Sequence, residues 1–155
     1  MLTVNFYSKP GFAYPHRKFL KLVKSICKLF HINSAVINIL ITDNRQIRFF
    51  NKKFHHRDAV TDCLSFNLSL PADKHKLFDI IVNAQKATSE SKKRKHSFQA
   101  ELALYITHGL LHNFGFNDHS IKQAKLMHQM EDNILQQQGL GNIFNSSEKL
   151  PSKLR

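Results

Sequence analysis

The sequence predicts a single domain that mixes strands with helices, on three observations. Its 155 residues suit one core, because single domains commonly run to about 100–200 residues. Four short segments rich in β-branched and aromatic residues alternate with stretches whose apolar residues recur at helical spacing. Two of the strand-like segments, "CLSFNLSL" and "KLFDIIVN", are separated only by Pro71 to His75, which is hairpin length and makes them antiparallel neighbours.

"LTVNFY" alternates and is rich in strand formers, so Leu2 to Tyr7 reads as the first strand, ended by Lys9-Pro10-Gly11. From His16 to His31, Phe19, Leu22, Val23, Ile26 and Phe30 share one helical face, and Arg17, Lys21, Lys24 and Lys28 another. That basic stripe reads first as a solvated face and second as a phosphate-contacting surface. Ala35 to Thr42 is a β-branched strand, and Asp43 can cap the helix that follows. In that helix Ile47, Phe50 and Phe54 recur on one side, with Arg45, Arg48 and Lys52 on the other.

"HHRDAVTD" reads as irregular, Cys63 to Leu68 as a strand closed by Pro71, and "KLFDIIVN" as a strand with Asp79 as a polar insert. A buried, unpaired carboxylate is costly, so Asp79 should hydrogen-bond to a neighbour, with support of a metal-bound imidazole as one use. After Asn83 a short helix, "AQKATSES", is expected, and Ser91 to His96 reads as a basic loop, solvated or phosphate-binding. Ser97 can cap a long helix with Phe98, Leu102, Ile106 and Leu110 on one stripe and Gly115 as its stop. A last helix starts at Ser120, with Ile121, Leu126, Met130 and Ile134 apolar and Gly139 as terminator. The polar end, "NSSEKLPSKLR", is expected to fray.

The net charge of +12 makes nucleic acid the first partner to consider, because a basic excess concentrates polyanions at a surface. A generally basic proteome is the bland explanation of the same number. No apolar run approaches the roughly 18–20 residues of a membrane span. "MLTVNFYSKPGF" lacks the layout of a secretory signal, so a cytosolic location is expected. Cys27 and Cys63 stand far apart with no CxxC and read as buried thiols.

The chemistry concentrates in "THGLLHNFGFNDHS". His108 and His112 are four apart on a helix, which places their Cβ atoms about 6 Å from one another on one face. Two imidazoles at that spacing can bite one metal ion, and Gly115 turns the chain back to offer Asp118 and His119. Zinc suits two imidazoles plus a third His or carboxylate, with a fourth position left open, as hydrolases require. The pattern H-x3-H-x2-G-x2-[H/D] also occurs in metalloproteases, which place a Glu after the first His as general base. Here that position is Gly109, which cannot accept a proton and disfavours a protease. Glu101 lies roughly 10 Å from His108 along the helix axis and reads as a surface or structural carboxylate. His128, His31 and His75 need no metal to explain them.

"HGLLHNFGFND" resembles the HGxLHLxGYDH signature of the YbeY endoribonucleases, metal-dependent enzymes implicated in ribosomal RNA maturation and ribosome quality control. "LITDNRQIRFFNKKF", "TDCLSF" and "FDIIV" resemble further family segments in the same order, so the likeness runs from about Leu2 to Gln138. The resemblance implies an α+β fold, a small mixed sheet of about four strands flanked by helices. The metal site would lie at the C-terminal end of the long helix, beside a basic cleft for single-stranded RNA. It further implies one nuclease domain over residues 1–139 with a flexible polar tail at 140–155, one zinc ion, no small-molecule cofactor and no membrane. The implied partners are ribosomal RNA and the small ribosomal subunit.

Position 118 is Asp where the family's third metal ligand is His, and His119 follows one step later. Asp118 is preferred as the ligand beside His108 and His112, because a carboxylate oxygen reaches zinc at the same distance and no gap is needed. His119 is the alternative. His55 stands where the family usually has an Arg for RNA, and Arg57, two residues on, can take over the phosphate contact. Phe78 stands where the family commonly has Gly. A water on the ion, or the RNA 2′-hydroxyl, would be the nucleophile. The competing classes are a zinc protease and a non-catalytic RNA- or ribosome-binding module with a structural metal.

Overall fold

The computed structural model describes residues 1–140. Its elements are β1 (Leu2–Ser8), α1 (His16–Leu29), β2 (Ala35–Thr42), α2 (Asn44–His55), β3 (Cys63–Asn67), β4 (Lys76–Asn83), α3 (Ala84–Arg94), α4 (Phe98–Asn113) and α5 (Ile121–Gln137). The strands form one mixed sheet in the order β1-β2-β4-β3, so the fold is α+β as expected. β1, β2 and β4 run parallel, and β3 pairs antiparallel with β4 through the short connection read from the sequence.

Alternation along the strands divides the core in two. Ile37, Ile39 and Ile41 of β2 and Phe78, Ile80 and Val82 of β4 point into the main core, with apolar residues of α1, α3, α4 and α5. On the other face α2 alone contributes, Ile47 packing with Leu64 and Ile81 in a small second cluster. That face therefore stays partly open. Phe54, on the apolar side of α2, is 51% exposed because no further helix covers it.

A polar ladder crosses the open face. Asn5, Asn38 and Asp79 are paired in register on β1, β2 and β4. Asn5 Nδ2 donates to Asn38 Oδ1 at 3.0 Å, and Asn38 Nδ2 donates to Asp79 Oδ1 at 3.0 Å. Asp79 thus finds the neighbour its chemistry demands. It sits on the face opposite α4 and does not support an imidazole there, because its strand neighbours Phe78 and Ile80 take the α4 side.

Capping residues set the helix boundaries. Asp43 accepts from Gln46 N, Asn83 from Lys86 N, Ser97 from Ala100 N, and Ser120 completes a capping box with Gln123. α4 and α5 both end on a glycine in the left-handed region, Gly115 at φ 100 and Gly139 at φ 70. In each, the glycine N–H and the next N–H turn back to the last helical carbonyls: Gly115 to His112 and Phe116 to Leu111, Gly139 to Gln136 and Leu140 to Leu135.

Two expectations need correction. The basic run from Ser91 is no loop up to Arg94: α3 continues through it, with Ser91 buried and Lys92, Lys93 and Arg94 in the last turn. Cations are favoured there by the helix dipole, and Lys95 closes the helix in a left-handed conformation. In α5 the buried stripe is Met127, Met130, Ile134 and Leu135, while Ile121 is 91% exposed on the first turn. Leu126 also faces solvent. Just beyond α5, Leu140 is buried in the main core. The rest of the expected tail, 141–155, lies outside the described residues.

Cys27 is buried as expected, and burial pushes its thiol pKa up to about 12. Cys63 is only partly buried. Phe78, in its unusual position, is 2% exposed and meets the Phe114 ring edge-on at 5.4 Å, filling the space under the end of α4.

Asp43 both caps α2 and pairs with Lys9, and these contacts hold its carboxyl below the ordinary range. Asp43→Ala should lower stability by about 1 kcal/mol at neutral pH. Because a depressed pKa stabilises only above it, that difference should vanish as the pH falls through the folded-state value, below the usual Asp range. Denaturant melts of both proteins across an acid series measure it.

Candidate metal centre

α4 is buried on almost every side, so the only side chains it can offer to a cavity are those at its edge. His108 and His112, one turn apart, take that edge and are partly buried. Gly109 is the reason the helix lies so close to the sheet. A Cβ added there would stand 2.8 Å from Cys63 Sγ and 2.9 Å from Ile80 Cγ2. A Glu at this position, as a protease would need, has no room.

The turn at Gly115 then reverses the chain and returns Asp118 to the histidines. His108 Nε2 and His112 Nε2 are 3.0 Å apart, and Asp118 Oδ2 is 3.8 Å from each. Two donors about 2.0–2.2 Å from one ion at a tetrahedral angle stand about 3.3–3.6 Å apart, so small shifts close this triangle on a metal. These three residues could hold an ion, their ligand atoms all lying within 4.8 Å of one another. His119 borders the same cavity but lies outside that group.

The two imidazoles are oriented from behind. Glu131, on the inner face of α5 and 1% exposed, meets His108 Nδ1 at 2.6 Å. An ionised carboxylate there keeps the proton on Nδ1 and leaves the Nε2 lone pair facing His112 and Asp118. Burial opposes a charge on His108, yet the Glu131 carboxylate raises its pKa above the ordinary value. Burial, and then the neighbouring His108, lowers the His112 pKa. Burial raises the Glu131 pKa in turn.

Sequence reasoning missed Glu131. Its signal was present: an acid one residue after Met130 falls between Met127 and Ile134 on the buried stripe, where an unpaired charge would be expensive. The carboxylate Glu101 is structural, fully buried and held by His96 and by Arg94 Nη1 at 3.5 Å. His75 Nδ1 contacts Ser34 Oγ at 2.6 Å, away from the metal group.

A cavity of about 600 Å³ opens in front of the triad, bordered by Asn51, His55, Arg57 and Ser65. Arg57 is brought there by the end of α2. His56 adopts a left-handed conformation at φ 57, Asn51 O accepts from Arg57 N at 3.3 Å, and Asn51 Nδ2 donates to Ala59 O at 3.0 Å. The nearly buried Asn51 thus pins both sides of the loop.

Two changes test this construction. Gly109→Ala should cost about 1–3 kcal/mol by overpacking and push α4 off the sheet, and a thermal melt together with zinc titration reads both effects. Glu131→Gln should reduce zinc affinity about 10–100-fold at pH 8, measured by competition with a chromophoric chelator. Protons compete for His108 up to a pH above the usual imidazole range, so wild-type affinity should fall as the pH drops through it. In the glutamine variant that loss should begin at lower pH.

Comparison with known proteins gives a consistent picture. The family model Endoribonuclease YbeY matches residues 9–139. An Endoribonuclease YbeY from Carboxydothermus hydrogenoformans is 33% identical over 107 residues, covering 69% of this chain and 75% of that one. Its counterpart from Sulfurovum sp. is 37% identical over 70% of this chain and 76% of its own length. The one from Francisella tularensis is 28% identical over 95% of both. The solution structure of TM1509 from Thermotoga maritima superposes with a TM-score of 0.60, covering 97% of this chain and all of its own at 18% identity, a likeness of fold. With its fold, its triad and a match over most of its length, the chain belongs to the YbeY family of endoribonucleases.

Proposed function

We propose that the protein is a zinc-dependent endoribonuclease that cuts single-stranded RNA, acting in the cytoplasm on ribosomal RNA associated with the small ribosomal subunit. The observation that carries this reading is the convergence of His108, His112 and Asp118 at the mouth of a polar cavity, in a chain of the endoribonuclease family. The net charge of +12 supports a polyanionic substrate. α1 adds exposed Arg17, Lys18, Lys21, Lys24 and Lys28 and carries no acidic residue at all. No helix among the described residues is long and apolar enough to cross a membrane.

His108 Nε2, His112 Nε2 and an Asp118 oxygen would hold the ion. Two imidazoles and a carboxylate are a donor set that zinc accepts, and three protein ligands leave a position open. When bound, the ion supplies concentrated positive charge, which activates a nucleophile near neutral pH and offsets charge building up on the phosphodiester. Glu131 holds the His108 proton at Nδ1, so the other nitrogen faces the cavity as an acceptor. Arg57 presents a planar guanidinium to the same cavity, suited to two phosphate oxygens. Asn51 fixes the loop that carries it.

The decisive assay offers single-stranded RNA and an unstructured protein side by side, with zinc and with chelator. Zinc-dependent cleavage of RNA alone is expected. His112→Ala should remain folded and lose cleavage by at least about 100-fold, while Arg57→Ala should mainly raise KM. Cleavage of protein but not RNA would overturn the reading, and an unaltered rate in a folded His112→Ala would leave only RNA binding. Anomalous scattering at the zinc edge, with ligand distances of about 2.0–2.2 Å, should find Asp118 rather than His119 in the shell.

A further inference from the structure

The metal group occupies one side of its cavity, and the opposite side has a chemistry of its own. β3 is the outer strand of the sheet on that side. In its antiparallel pairing, Leu68 N donates to Leu77 O and Asn83 N donates to Asp62 O, each at 2.9 Å. Hydrogen-bonded pairs alternate along such a ladder, so Asp62, Leu64, Phe66 and Leu68 turn their backbone groups toward β4. Cys63 and Ser65 therefore turn their N–H and C=O groups outward from the sheet edge.

Both residues border the same cavity as His108, His112 and Asp118. Among the described residues the Ser65 hydroxyl has no hydrogen-bond partner. The edge is short: at its far end the Asn67 side chain reaches across to Asn113 O at 3.5 Å. It offers a few donors and acceptors to a small flat ligand rather than a long ladder to a peptide.

A flat platform stands beside it. The His55 imidazole lies parallel to the Phe66 ring, 5.3 Å between centroids with an interplanar angle of 4°. Phe54 braces Phe66 edge-on at 5.5 Å and stacks with Phe50 at 6.1 Å. Phe66 covers one face of the imidazole, yet His55 remains exposed and borders the metal cavity. A ring fixed from behind and open in front suits a nucleobase, since every base has a π face and stacking needs no particular sequence.

We infer that His55, backed by Phe66, and the outward edge of β3 at Cys63 and Ser65 form a nucleobase subsite beside the metal triad. It receives an unstacked base of the RNA strand close to the scissile phosphate. The inference rests on the endoribonuclease reading and adds to it a site that selects single strands, because a base held in a duplex cannot reach the platform.

The test compares wild type with His55→Ala, His55→Phe and His55→Lys on a single-stranded RNA oligonucleotide, and on copies in which one abasic nucleotide is moved along the strand. His55→Ala should raise KM about tenfold with kcat little changed, the loss typical of one stacked base. His55→Phe should stay near wild type, and His55→Lys should be as weak as the alanine variant. One abasic position should weaken wild type by a similar factor and His55→Ala no further.

If His55→Lys retains wild-type KM and His55→Phe does not, the residue contacts phosphate by charge and the subsite is overturned. An abasic penalty equal in wild type and His55→Ala overturns it as well, with the endoribonuclease reading intact in both cases. If wild type cleaves protein and leaves every RNA untouched, both readings fall and the β3 edge belongs to a peptide.

Discussion

The approach of α4 to the sheet at Gly109 is the constraint on which the rest of the site depends. With no Cβ at this position, the helix backbone settles against Cys63 and Ile80 at distances no larger residue permits. That depth buries most of α4 and leaves His108 and His112 at the margin, where β3 ends the sheet and a cavity can form. The turn at Gly115 completes the geometry. Its left-handed residue lets two N–H groups satisfy the carbonyls of His112 and Leu111 while the chain reverses and returns Asp118 to the histidines.

Charge is distributed unevenly in a way that serves the same site. The chain is strongly basic, but the two histidines of the candidate metal site are flanked by carboxylates: Asp118 in front and Glu131 behind. Glu131 is buried in α5 and faces one imidazole, so α5 supports the candidate metal site as well as the core. Similar economy holds at Glu101, whose buried carboxylate ties the start of α4 to His96 and Arg94 at the end of α3. Buried charges of this kind persist only when paired, and each joins two elements that must keep their relative position.

The sheet is lopsided. Four helices contribute to the main core, whereas α2 alone covers the other face beside the Asn5, Asn38 and Asp79 ladder. That asymmetry gives α2 a second task. Its C-terminal end carries His55 and leads into the loop with Arg57, and both reach the edge of the sheet where the cavity lies.

Local pattern was enough for the order of strands and helices, the caps at Asp43 and Ser97, the β3–β4 hairpin and the pairing of His108 with His112. Each of these is set by residues within a few positions of one another, which is why it can be read along the chain. The helical wheel of α5 was less legible, because Ile121 and Leu126 are as apolar as the residues that are buried, and only packing chooses between two overlapping stripes. That choice also hid Glu131. Whether Asp79 serves the metal side or the open face depended on strand register, since a one-residue change in facing reverses the side. The close approach at Gly109, the Glu131 contact with His108 and the stacking of His55 on Phe66 all join residues distant in sequence. They follow from how the helices settle on the sheet, and only the tertiary structure decides them.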